Sequence, residues 1–134
     1  MRIRVPSRKV REKFLLIYEL EGCQKAVNYL TRYYGIRKMS VIVDGRRVMR
    51  TKTHKTYSAH YYKNKAYFTK RGLTKRTILH ELYHHLVYVN GLDMTKTKEE
   101  RAANRYAREF LNWYSANHWQ TCTRGRCATH GLYV

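Results

Sequence analysis

Acidic residues are scarce in this chain. Nine Asp and Glu stand against 28 Lys and Arg over 134 residues, a formal net charge of +19. That imbalance rules out a charge-neutral surface and favours attraction to a polyanion, nucleic acid foremost. Proline occurs once, and no Ser/Gly-rich stretch reads as a linker, so a single domain over 1–134 is expected. Long apolar runs are missing too. Segments such as Phe14–Tyr18 and Leu86–Val89 fall far short of the roughly 20 residues a membrane helix needs. Three cysteines do not make the disulfide framework of a small secreted protein. The basic start, Met1 to Lys9, lacks the hydrophobic region of a signal peptide. The expectation is a cytoplasmic, intracellular protein with no membrane partner.

The charge that is present is uneven. Residues 1–76 hold 21 Lys and Arg against four acids, whereas 77–134 hold seven against five. Nucleic acid is therefore expected to bind through the basic residues of 1–76, with the 13 tyrosines available to stack on bases or to pack at the core rim. Hydrophobic residues make up 43% of the chain, enough for a core rather than disorder.

Periodicity divides the chain into three parts. Ser7 to about Glu21 and Cys23 to Tyr34 read as helices, the first with Ser7 at its cap and the second stopped by Gly35. Met39–Val43, Val48–Thr51, Thr56–Tyr62 and Ala66–Thr69 are β-rich, with Asp44-Gly45 and Lys63-Asn64-Lys65 as turns. Thr74 to Asn90, closed by Gly91, and Thr97 to about Ser115 read as two further helices. An irregular C-terminal tail is expected over 119–134. Helices, then strands, then helices imply an α+β domain with a small, mostly antiparallel sheet.

The third helix carries His80-Glu81-Leu82-Tyr83-His84. Histidines four apart on a helix share a face, so both imidazoles can reach one Zn²⁺ at about 2.0–2.1 Å. Glu81, turned about 100° from His80, is placed to act as a general base on water beside the metal without being a ligand. A third ligand is still needed. The positions where one common class puts Gly and a third His are Val87 and Asn90, which excludes that class. Glu99 and Glu100 open the next helix, and Asp93 in the connecting loop is a weaker candidate. Glu100 is preferred because it shares a face with Ala103, Ala107 and Phe110. The alternative is that Thr97 to Glu100 is a capping box and Glu100 folds back on the helix start. Asn104, one turn below Glu100, can orient a ligand imidazole. Tyr83, His85 and His60 are candidate oxyanion donors, and the strand over Lys65–Lys70 a candidate edge for an extended substrate.

His80–His84 followed by Glu100-Arg-Ala-Ala-Asn-Arg-Tyr-Ala107 resembles the gluzincin metallopeptidases. It is especially similar to the small ImmA/IrrE-type enzymes, whose pattern is HExxH followed by E-x-x-A-N-x-[FY]-A. The similarity spans about residues 74–111, with an architectural likeness before it that includes Tyr34-Gly35-Ile36. The chain departs where the family has Leu-Met-Pro, carrying Asn112-Trp113-Tyr114 instead. SprT-like proteases, which act on protein crosslinked to DNA, are a more distant likeness. The resemblance implies that Glu100 is the third zinc ligand and that the activity is endopeptidase cleavage of a protein or peptide substrate, such as a repressor or another DNA-associated protein. The alternative is a non-enzymatic, zinc-stabilised nucleic-acid-binding protein. Glu81 separates the two, since a purely structural site has no use for it.

The tail offers His118, Cys122, Cys127 and His130 within a short stretch. A second, structural zinc, a Cys122–Cys127 disulfide and unlinked thiols all remain open there.

Overall fold

A single glycine turns one helical stretch into a helical hairpin. Gly22, with φ of 97°, ends α1 (Arg8–Glu21) and precedes α2 (Cys23–Tyr34). The computed structural model describes residues 3–44, 49–50 and 56–123, with side chains over 3–44 and 58–112. Phe14 and Leu15 of α1 share a core with Ala26, Val27 and Leu30 of α2. Ser7 sits at the cap position of α1 but makes no side-chain capping bond; its carbonyl accepts from the Arg11 amide instead. Gly35, left-handed at φ 67°, stops α2 as expected, with the Ile36 amide returning to the Thr31 carbonyl.

Gln24 fastens α2 to the sheet. Its side-chain amide donates to the Met39 carbonyl at 3.0 Å and its oxygen accepts from the Val41 amide at 2.7 Å. The sheet has the order β1 (Ser40–Asp44), β5 (Lys65–Thr69), β4 (Ala59–Tyr62). The hairpin β4–β5 turns at Lys63 and Asn64, both at positive φ, and pairs Tyr62 with Lys65. That is the mirror-image two-residue turn whose twist matches the strands. A separate ribbon pairs β2 (Met49–Arg50) with β3 (Thr56–Tyr57) antiparallel. Two of the three pairings are thus antiparallel. The third, β1 with β5, is parallel, because the intervening ribbon and β4 bring the chain back in the direction of β1.

The step from β5 into α3 (Lys75–Val89) is tightly built. The Thr69 amide donates to the Ser58 carbonyl at 2.9 Å, and the Gly72 amide donates to Thr69 Oγ1 at 2.9 Å. A Cβ on Gly72 would lie 2.1 Å from the Ser58 oxygen, so any other residue forces the backbone there to shift. Thr74 and Thr77 then form a reciprocal cap on α3. At its other end Gly91 adopts φ 60°, and the Leu92 amide returns to the Val87 carbonyl at 3.1 Å.

The last helix, α4 (Lys96–Thr123), begins earlier and ends later than its sequence suggests. Thr95, not Thr97, caps it, accepting from the Lys98 and Glu99 amides through its hydroxyl and carbonyl. At its far end the helix runs through 119–123, the first residues of the expected tail, and 124–134 lie outside the described residues. Ala103, Tyr106, Ala107 and Phe110 form its buried stripe against α3. Tyr106 also meets the Tyr34 hydroxyl at 2.7 Å, tying α4 to α2. The result is the α+β arrangement expected, and none of the helices searched among the described residues is long and apolar enough to cross a membrane.

Candidate metal centre

The third and fourth helices run side by side and bring His80, His84 and Glu100 together. His80 Nε2 lies 3.2 Å from His84 Nε2 and 3.2 Å from Glu100 Oε2, and His84 Nε2 lies 2.9 Å from Glu100 Oε1. Tetrahedral ligands at roughly 2.0–2.1 Å from one ion stand about 3.3 Å apart. Each of these contacts is near that spacing, with one Glu100 oxygen facing each imidazole, and one ligand atom from each residue lies within 4.8 Å of the other two. Among the described residues this is the trio of His, Cys, Asp or Glu that can hold a metal ion.

Why Glu100 is free to do this follows from Thr95. With the cap two residues upstream of Thr97, Glu100 is not at the capping-box position, and its carboxylate points across to α3. Asp93 stays in the loop and does not join the trio.

The imidazoles are held from behind. The Glu99 carboxylate hydrogen-bonds Nδ1 of His84, which fixes the proton there and turns Nε2 towards Glu100. Asn104 hydrogen-bonds His80 and favours its charged form, as does Glu100, but burial and the neighbouring His84 win and push His80 below its ordinary value. A neutral imidazole is what metal ligation requires.

Glu81 is 5% exposed, with Oε1 4.0 Å from His80 Nε2. Burial pushes its carboxyl up to about 7; nearby Glu100 adds to this and His84 opposes it. It faces a cavity of about 620 Å³ bounded by β4, α3 and the start of α4, with His60 and Tyr61 on the strand side and Lys96 on the other. A group poised near neutrality beside such a cavity can both take and return a proton.

The candidate oxyanion donors divide. His60 lines the cavity. Tyr83 does not: it is buried against Tyr106, its hydroxyl near Met94 Sδ. His85 is fully buried and points the other way, with Nε2 2.7 Å from the Arg37 carbonyl and Nδ1 2.7 Å from the Tyr61 hydroxyl. Tyr61, which accepts from the Asn64 amide, was not singled out from sequence and lines the cavity. The strand over Lys65–Lys70 offers no edge, because β5 is central and paired on both sides; β4 is the strand beside the site. Glu99, weighed from sequence only as the rival third ligand, instead backs His84, a role that no spacing rule marks.

The side chains of His118 and Cys122, on the last stretch of α4, and all of Cys127 and His130 lie outside the described residues. No family model, curated protein or solved structure matches this chain.

Proposed function

We propose that this chain is a zinc-dependent metallopeptidase that hydrolyses peptide bonds in a protein or peptide substrate. The observation that carries the reading is the convergence of His80, His84 and Glu100 at ligand spacing, with buried Glu81 beside them. A purely structural zinc site closes with four protein ligands. Here three donors meet at the wall of an open cavity.

Bound zinc would supply Lewis-acid polarisation of water and of the scissile carbonyl. The chain's residues do the rest. His80, His84 and Glu100 hold the ion, and Glu99 and Asn104 keep the imidazoles turned. Glu81 accepts one proton from the attacking water at its carboxylate and passes it to the leaving nitrogen, so water adds across the C–N bond with no net proton change. His60 faces the same space and is the donor nearest to hand for the developing oxyanion, whereas the Tyr61 hydroxyl proton is committed to His85 Nδ1. An extended substrate would lie along β4.

The motif resemblance to ImmA/IrrE-type enzymes and the basic surface favour repressor-like or other DNA-associated substrates in the cytoplasm. The test is proteolysis by Glu81→Gln. Activity should vanish while zinc stays bound; full activity in that variant would overturn the assignment of the base.

A second reading, a non-enzymatic zinc-stabilised nucleic-acid binder, draws on the +19 charge. It predicts no proteolysis from wild type and tight nucleic-acid binding. In either reading, nucleic-acid affinity should fall steeply, by orders of magnitude, between about 50 and 200 mM salt. No binding at about 50 mM would remove nucleic acid as a partner.

A further inference from the structure

A second cavity, of about 490 Å³, opens on the far side of His84. It shares Tyr61, His84 and Glu99 with the first, so the two cavities adjoin across the His84–Glu99 pair beside the candidate metal site. Its wall is apolar, built from Val87, Tyr88 and Leu92. Val87 is buried and Tyr88 is 47% exposed at the mouth. Asp93 supplies a carboxylate to the lining. The other carboxylate, Glu99, is engaged with His84.

We propose that this cavity is a specificity pocket for a lysine or arginine side chain of the substrate, next to the scissile bond. The proposal rests on the peptidase reading above. A long cationic side chain has two parts, an aliphatic stem that packs on apolar surface and a charged head that needs an acceptor. The pocket offers Val87, Leu92 and the Tyr88 ring to the first and Asp93 to the second. A carboxylate on the pocket wall disfavours acidic side chains by repulsion and favours cationic ones through charge-assisted hydrogen bonds.

Asp93 is exposed and lies between two pinned positions of the loop. The Leu92 amide is bonded back to Val87, and Thr95 is committed to capping α4. The loop therefore presents its carboxylate on a braced backbone. The surface charge of the protein is the opposite: Lys96 is the sole Lys or Arg among the described residues lining the two cavities. A basic exterior with a cation-accepting cleft suits a substrate that is itself basic, as proteins bound to nucleic acid are.

The experiment maps cleavage sites by mass spectrometry after the full-length, zinc-loaded protein has digested a denatured mixture of known sequences. Glu81→Gln and chelator controls identify the cuts that belong to the protein. Lys and Arg should be enriched about tenfold at one position flanking the cut. Asp93→Asn should abolish that enrichment and Asp93→Lys should reverse it towards acidic residues. Both variants should still cut at the remaining sites and retain bound zinc. Enrichment that is absent, or that survives in Asp93→Lys, overturns the pocket assignment and leaves the peptidase reading standing. Wild type that cuts nothing overturns both.

Discussion

Glu99 and Glu100 are consecutive, yet they hold opposite nitrogens of one imidazole: Glu99 bonds Nδ1 of His84, and Glu100 approaches Nε2 at 2.9 Å. Successive helix positions are turned by about 100°, so two neighbouring carboxylates can bracket a ring presented edge-on by the facing helix. The two substitutions should differ in kind. Glu99→Ala should weaken zinc binding about 10- to 100-fold, as loss of an orienting partner does. Glu100→Ala should weaken it by more than that. Competition titration with a chelator measures both, and the reverse order would mean that Glu99 is the ligand.

Buried Glu81 makes the metal-free protein sensitive to pH. Its carboxyl rises from 4.5 to about 7 on folding, so between those values the folded state binds more protons than the unfolded one. Stability from this group is therefore present at low pH and is lost as pH rises through about 7. The loss should be on the order of 3 kcal/mol. Urea unfolding of the chelated protein at a series of pH values checks this by comparison with Glu81→Gln. The variant should lack that part of the slope, and parallel curves would contradict it.

His85 should matter for folding rather than for metal. It is fully buried, its Nε2–H donates to the Arg37 carbonyl, and its Nδ1 accepts from Tyr61. His85→Ala leaves a cavity and two groups without partners, which should cost about 2–4 kcal/mol. The stoichiometry of bound zinc should not change in the folded variant. Denaturant unfolding and metal analysis together separate this from a ligand role. Burial also lowers the pKa of His85, so the stability it contributes is present above about 6.5 and is lost as pH falls below that.

At Gly72 the constraint is steric. An added Cβ would sit 2.1 Å from the Ser58 carbonyl oxygen, so the β5–α3 joint must open to admit it. Gly72→Ala should destabilise the protein by about 2 kcal/mol or more. A thermal midpoint within a degree of wild type would show that the joint yields freely.

Much of this was legible in the sequence because local rules decide it. His80, Glu81 and His84 are fixed by helical periodicity alone, and Gly35 and Gly91 end their helices because left-handed backbone suits glycine. The cap of α4 was misplaced by two residues, since Thr95 and Thr97 both satisfy the capping preference and only the packing of α4 on α3 chooses between them. That choice removed the rival role of Glu100. The parallel pairing of β1 with β5, the turning of His85 away from the cleft and the bond from Glu99 to His84 all join residues distant in sequence or on different elements. No pattern within one segment encodes them.

The α3–α4 hairpin has a kinetic consequence. Its three candidate ligands lie between His80 and Glu100, joined by a short loop braced by Leu92 and Thr95. Bringing them together closes only a small loop of chain, whereas β1 must find β5 across the whole intervening ribbon. Contacts of such short range form early. Pairing α3 with α4 therefore assembles all three candidate ligands without the sheet, and a cation bound there would be a template on which the rest of the domain condenses.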